Sequence, residues 1–528
     1  MRCFHSYGPV DCRHHFCVER NSLVQRCFEQ MIGVPDEGGH FFTIWAPRQA
    51  GKTWLMRQVK KEIEKEYSDK FIIGTMSVQG VVLEKDDPPE LFLKRIPLLF
   101  SRFFNLDVRV PDTWEALGLL FSKQAGLFEK PLILFIDEFD RLPPTVIDRI
   151  VSMFRDIYLD RENFFIHGLA LIGVRAVLGV ESDRGSPFNI QRSLHAPNLT
   201  KQETEDLFQQ YQSESGQKIE HQVIEKIYES TRGQPGLVSW FGELLTEKYN
   251  PGPNMLIDMS LWEDVYQAAQ CREWNNTLLN LIKKARLNYT DYVTELFVKS
   301  DIPFSIHVEW CNYLYLNGII DEVSIIDEQG RKISVCCFSS PFVQNCLFDA
   351  FTMDFIRDRL PVLALDPLDD LSDVFDKPEP DIPALLERYK GYLKRLKAKG
   401  INPWKDQPRR SDMRYTEYVG HFHLYFWLRQ AVEYQCVVSP EFPTGNGRVD
   451  LHLKCNGRQA VIEVKSYTSR SGLEKAKKQA KDYARKLKLP AITLAVFVPV
   501  EDEEVLKQLS GEQIIDSIRV DVIAVGWV

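Results

Sequence analysis

The run Phe41-Phe42-Thr43-Ile44-Trp45 is apolar and β-rich, and it passes without a spacer into Ala46-Pro47-Arg48-Gln49-Ala50-Gly51-Lys52-Thr53. A helical pattern then opens with Trp54, Leu55 and Met56. Strand, tight loop and helix in direct succession constrain the chain severely. The N–H groups of the loop and of the first helical turn must converge on one small volume, which favours an anion there. In such a loop Lys52 reaches the β- and γ-phosphates of a nucleotide, Thr53 ligates magnesium, and Trp54 closes the segment. Ala46 stands where a glycine is usual. Pro47 confines that position to extended backbone, which alanine adopts without strain.

A second segment fits the first. Pro131-Leu132-Ile133-Leu134-Phe135-Ile136-Asp137-Glu138 is a continuous apolar strand that ends in two acids, roughly eighty residues further on. A strand apolar at every position is buried on both faces and belongs in a parallel α/β sheet. Asp137 at its carboxyl end is expected to hold magnesium, and Glu138 to polarise the attacking water. Together the two segments make the P-loop arrangement, with ATP and Mg²⁺ as the expected cofactors.

Three further pieces resemble the STAND-type and archaeal-type AAA-like ATPases. Phe16-Cys17-Val18-Glu19-Arg20-Asn21-Ser22-Leu23 is similar to their N-terminal box, with Glu19 in place of a glycine, and the resemblance implies that Arg20 lies beside the adenine. The run Leu169-Ala170-Leu171-Ile172-Gly173-Val174 leads into Arg175, where that family places a γ-phosphate-sensing arginine. A salt bridge to Asp or Glu is the alternative use of Arg175. Thr231-Arg232-Gly233-Gln234-Pro235-Gly236 matches the Gly-x-Pro element of a helical lid, with Pro235 at the nucleotide.

Near the other end, Asp450-Leu451-His452-Leu453 and Gln459-Ala460-Val461-Ile462-Glu463-Val464-Lys465 flank an Asn456-Gly457 turn, a hairpin signal. Glu463 and Lys465 are two apart, so on a strand they share a face. Two carboxylates with an ammonium beside them suit metal-assisted phosphodiester cleavage, in which Asp450 and Glu463 ligate a divalent ion and Lys465 positions water. A surface hairpin with an incidental ion pair is the plainer alternative. The constellation resembles the PD-(D/E)XK nucleases, in particular their RecB-like branch. That resemblance implies supporting roles for Gln479 and Tyr483 on the next helix, and for Glu417 on a preceding helix as a further metal ligand. Val449 replaces the usual proline before Asp450. Mn²⁺ is an alternative metal for this site.

The expected fold class is therefore α/β: a P-loop parallel sheet with a helical lid over residues 1–250, a winged-helix-like domain over 251–360, an extended acidic linker over 361–383, and a restriction-endonuclease-like PD-(D/E)XK domain over 384–528. The winged-helix-like part carries few basic residues beyond Lys283, Lys284 and Arg286, which favours packing or autoinhibition over DNA contact. Net charge is −9, but from Ala384 onward 25 Lys and Arg face 17 Asp and Glu. A basic terminal domain on an acidic body favours a nucleic acid partner, DNA before RNA, although solvated helix faces account for part of it. A homo-oligomer or a protein partner is also compatible.

Eleven cysteines without a Cys-x-x-Cys pair, no long apolar run and no leader pattern suggest a reducing cytoplasm and no membrane. Cys3, His5, Cys12, His14, His15 and Cys17 invite a zinc reading, but their spacing fits no finger pattern. The resulting expectation is an ATP-binding and hydrolysing protein whose Mg²⁺-dependent nuclease domain cuts DNA under nucleotide control. The whole-chain resemblance places some such proteins near defence or mobile-element functions. The rivals are a nucleotide-switched regulator that binds nucleic acid without cutting, and an RNA nuclease.

Overall fold

The computed structural model describes residues 2–84, 86–174, 192–287, 289–297, 302–326, 330–359, 371–375, 380–400, 414–432, 436–441, 450–455 and 458–527. The chain divides into two compact units, Met1–Thr277 with Leu316–Gly318, and Leu278–Tyr315 with Ile319–Val528.

In the first unit β1 (Phe41–Trp45), β2 (Ile72–Ser77), β3 (Leu132–Asp137), β4 (Ile166–Gly173) and β5 (Arg192–His195) form a parallel sheet in the order β2-β3-β4-β1-β5. The side-chain period of two sends alternate residues of each apolar strand into separate cores. Leu132, Leu134 and Ile136 pack with the helix Pro144–Leu159 on one face. Ile133 and Phe135 pack on the other with the helices Asn21–Ile32 and Lys52–Tyr67. Both faces are thus covered, as a parallel sheet requires. The carboxyl ends of β1, β3, β4 and β5 are left as the place where a ligand meets the sheet.

Three helices follow where the lid is expected. Lys201–Ser215 begins at a capping box in which the Thr200 side chain and Glu203 satisfy each other's backbone N–H groups. His221–Thr231 ends at Arg232 and Gly233, both left-handed, and Gly233 lies so close to Leu199 that a Cβ would stand 1.9 Å from its carbonyl oxygen. Pro235 then starts the helix Pro235–Glu243 at a position where its missing N–H is harmless.

The second unit begins within the helix Asn276–Leu287, followed by the short helices Thr290–Leu296 and Glu309–Leu316. An antiparallel hairpin follows, β6 (Ile320–Ile326) with β7 (Lys332–Phe338), and then the helix Pro341–Arg359. Its larger part is a mixed sheet of β8 (Val437–Glu441), β9 (Asp450–Cys455), β10 (Arg458–Ser466), β11 (Ala491–Val498), β12 (Gly511–Ile515) and β13 (Ile518–Gly526), in the order β12-β13-β11-β10-β9-β8. The helix Arg470–Lys486 buries Ala476, Ala480 and Ala484 in the core that also holds Val461, Leu494 and Val496. The helix Arg414–Val432 reaches the opposite face, where Gly420 gives Phe497 the room a Cβ would take.

Two expectations are corrected here. The acidic segment 361–383 is not extended and exposed throughout. Leu371 and Val374 are buried, Ser372–Phe375 forms a helical turn, and Asp381 caps the helix Ile382–Ala398. Leu371 and Val374 find a core despite the surrounding charge. The cysteines are not all free thiols either, because Cys12–Cys17 and Cys436–Cys455 are disulfides. The second joins the residue before β8 to the end of β9, where antiparallel pairing brings the two backbones together.

Candidate nucleotide site and a second acid-lysine site

Between β1 and the helix Lys52–Tyr67 the loop turns through two left-handed residues, Gln49 (φ 56°) and Gly51 (φ 86°). Lys52 Nζ donates to the carbonyls of Ala46 (2.7 Å) and Pro47 (2.8 Å), within its own loop. Burial lowers the Lys52 ammonium to about 8, opposed by the charges of Asp140, Glu138 and Asp137. The Thr53 hydroxyl donates to Asp137 Oδ2 at 3.0 Å. A hydroxyl and a carboxylate at that distance are two hard oxygen donors side by side, which fits Mg²⁺. Glu138 follows in a left-handed conformation (φ 58°) and pairs with Arg141 across 3.3 Å.

The lid touches the same loop. Gly236 N–H donates to Gln49 O at 3.1 Å, and Gln234 Nε2 donates to Arg48 O at 3.1 Å. A Cβ on Gly236 would lie 2.5 Å from Gln49 Oε1, so glycine is what lets the lid helix sit on the loop. Ala50 is buried, whereas Arg48 is exposed. Behind the loop, Trp54 Nε1 donates to Cys12 Sγ at 3.3 Å. His195, at the end of β5, stacks on Trp45 with ring centroids 4.2 Å apart. Burial, with the charges of Arg20 and Lys52, keeps its imidazole below its usual range.

In the second unit the antiparallel register pairs Glu463 of β10 with Asp450 of β9, and Val461 with His452. Glu463 and Lys465 project from the face that bears Val461, and Lys465 Nζ meets Glu463 Oε1 at 2.7 Å. Their side chains are only 4% and 11% exposed. A buried pair recovers little more than its desolvation cost, so it is weak evidence of a stabilising role. Gln479 and Tyr483, one helical turn apart and both half-buried, lie on the helix that packs over this face. His452 is buried beside Asp450 in sequence, and His421 is buried on the helix Arg414–Val432. Burial, aided by the charge of Lys465, lowers the His421 imidazole to about 3, so it is neutral.

A model of the AAA-like domain family matches residues 5–289, more than half of the chain. The protein belongs to the AAA-like family. No curated protein matches it. Among solved structures it is similar to a Walker-type ATPase of Pyrococcus abyssi, at 14% identity and a TM-score of 0.44, covering 65% of this chain and 99% of that one. It is also similar to the Aeropyrum pernix ORC1 protein solved in complex with DNA, at 14% identity and TM-score 0.32, covering 63% and 92%. A third is the Thermotoga maritima RuvB Holliday junction branch migration motor, at 14% identity and TM-score 0.33, covering 60% and 92%.

Within the AAA-like domain, the structure brings together Ala46 to Thr53, Asp137, Glu138 and the start of the lid at Pro235. Arg20 has partners within the protein. Its guanidinium donates to the carbonyls of Pro197 (2.8 Å) and Asn198 (3.1 Å) and pairs with Glu203, tying the N-terminal box to the first lid helix. Arg175 lies outside the described residues, as do the Asn456-Gly457 turn and the side chains of Glu417 and Asp450. Asp140, His195, His421 and His452 were not among the residues expected from sequence. Asp140 alone left a trace, as a third acid after the apolar strand.

The zinc reading of the N-terminal residues is not supported. Cys12 and Cys17 are bonded to each other, the His5 and His15 rings stack 4.0 Å apart, and His15 Nδ1 accepts the Asp11 N–H. Among the described residues no three His, Cys, Asp or Glu side chains converge to hold a metal. No helix among them is long and apolar enough to cross a membrane. Several terminal basic residues are engaged at the surface: Lys394 with Glu503, Lys397 with Glu501, and both Lys481 and Arg485 with Asp516. Lys478, Lys486 and Lys488 are exposed.

Proposed function

We propose that this AAA-like protein binds and hydrolyses ATP with Mg²⁺, and that its terminal domain is a PD-(D/E)XK-type nuclease that cleaves DNA under nucleotide control. The observation that carries the first half is the Thr53–Asp137 contact beside a self-satisfied Lys52. Phosphate oxygens would replace the Ala46 and Pro47 carbonyls as partners of the ammonium, and Glu138 would take the proton of the attacking water. The observation that supports the second half is the buried Glu463–Lys465 pair with Asp450 in register opposite Glu463. A divalent ion there would polarise a phosphodiester. Glu463 and Asp450 would hold it, with Glu417 as a further ligand, and Lys465, freed from its carboxylate, would orient water. Gln479 and Tyr483 would position the strand. The middle helices and hairpin read as a winged-helix-like element whose role is packing or restraint.

Purified full-length protein with supercoiled plasmid, linear duplex, single-stranded DNA and RNA, in Mg²⁺ or Mn²⁺, tests the second half. DNA cleavage that is lost in Glu463→Gln and Lys465→Ala but kept in Lys65→Ala, an exposed change in the first unit, supports the reading. Binding of nucleic acid with no cleavage in either metal would replace the nuclease with a nucleotide-switched regulator.

A further inference from the structure

We infer that Asp140 is a positioning residue for ATP hydrolysis, its carboxylate pinning the turn that carries Glu138 to the end of β4 and, through β4, to the phosphate-binding loop. The inference rests on the ATPase reading given above. Glu138 is held at φ 58° and ψ 31°, a conformation that a residue with a side chain keeps only when its surroundings impose it. Three contacts impose it. The Glu138 N–H donates to Asp137 Oδ1 at 2.9 Å, Phe139 is sunk in the core at 1% exposure, and Asp140 Oδ1 accepts the Val174 N–H at 3.2 Å.

The third contact reaches beyond its own turn. Val174 follows Gly173, the last residue of β4. Gly173 is the register partner of Trp45, and its carbonyl accepts the Ala46 N–H at 3.4 Å. One short path of hydrogen bonds therefore runs from the turn of the general base, across the end of β4, to the first residue of the phosphate loop. Gly173 is also what admits the carboxylate, since a Cβ there would stand 2.3 Å from Asp140 Oδ1.

Steady-state hydrolysis and equilibrium ATP binding by the full chain test this, with Glu138→Gln as the control that removes the base. Asp140→Ala should lower kcat about tenfold or more while the KM for ATP stays within about threefold, because the loop and Lys52 are intact. Asp140→Asn keeps an oxygen that accepts the Val174 N–H and should return turnover to within about threefold of wild type. Gly173→Ala should reproduce the loss by displacing the carboxylate. Should that variant fail to fold, the Ala and Asn pair decides. Equal losses in Asp140→Asn and Asp140→Ala would show that charge and not the tether matters, and would overturn the inference. So would unimpaired turnover by Asp140→Ala when the separate Glu138→Gln control is silent. Absence of hydrolysis by the wild type would remove the ATPase reading and the inference together.

Discussion

The phosphate loop of the first unit and the acid-lysine pair of the second each hold a lysine in check, but by different means. Lys52 is satisfied by two backbone carbonyls of its own loop, whereas Lys465 is satisfied by a carboxylate on the same strand. A lysine bonded to neutral carbonyls gains net attraction when an anionic phosphate arrives, so its site is poised for binding. A lysine bonded to a buried carboxylate would have to be released by a competing cation, so the proposed nuclease site would be gated by metal. In the first, the partners of the lysine come from a contiguous stretch of chain. The second draws on β9, β10 and two helices.

That difference can be broken most forcefully at the buried pair. Lys465→Ala alone removes the ammonium beside the buried Glu463 carboxylate and should destabilise the second unit by about 3–5 kcal/mol. A double change to Glu463→Leu with Lys465→Met should return most of that stability while abolishing cleavage. Denaturant melts of the three proteins check it, and equal destabilisation in single and double variants would show the pair to be structural. At the other lysine, Lys52→Ala should weaken ATP binding by on the order of 100-fold with little change in melting, measured by calorimetry.

The pH response separates the two lysines further. Lys52 is held down to about 8 by burial, and bound phosphates would raise it again. Binding therefore takes up a proton above that value. ATP affinity should be flat below about pH 7 and fall about tenfold between pH 7 and 9. A flat profile through pH 9 would contradict the assignment. The smallest effect expected is at the lid. Gly236→Ala would press a methyl against Gln49, and should speed ATP release about two- to threefold in stopped-flow displacement.

The same contrast explains what could be read from residues alone. The strand, loop and helix around Lys52 were legible because backbone chemistry in one continuous run dictates them. So were β3 with its terminal acids, and the β9–β10 pairing that sets Asp450 opposite Glu463. Contacts between distant positions were not. Gln234 reaches Arg48 across 186 residues, and Asp140 reaches Val174 across 34. Neither is marked by spacing or composition, because each depends on how separate elements dock. His421 and His452 look like ordinary core residues in sequence, and only their burial around the Glu463 strand draws notice. The disulfides were missed because a cysteine count carries no information on proximity. The acidic segment misled because its acids and prolines suggest exposure, whereas Leu371 and Val374 are buried.

The central claim is that a nucleotide bound at Lys52 controls a reaction at Glu463. The most direct measurement is the rate of plasmid cleavage in Mg²⁺ with and without ATP, for the wild type, Lys52→Ala and Glu463→Gln. The account predicts a wild-type rate that changes severalfold with ATP, a Lys52→Ala rate that ignores it, and no cleavage by Glu463→Gln. Cleavage that survives Glu463→Gln, or that responds to ATP equally in Lys52→Ala, would contradict it.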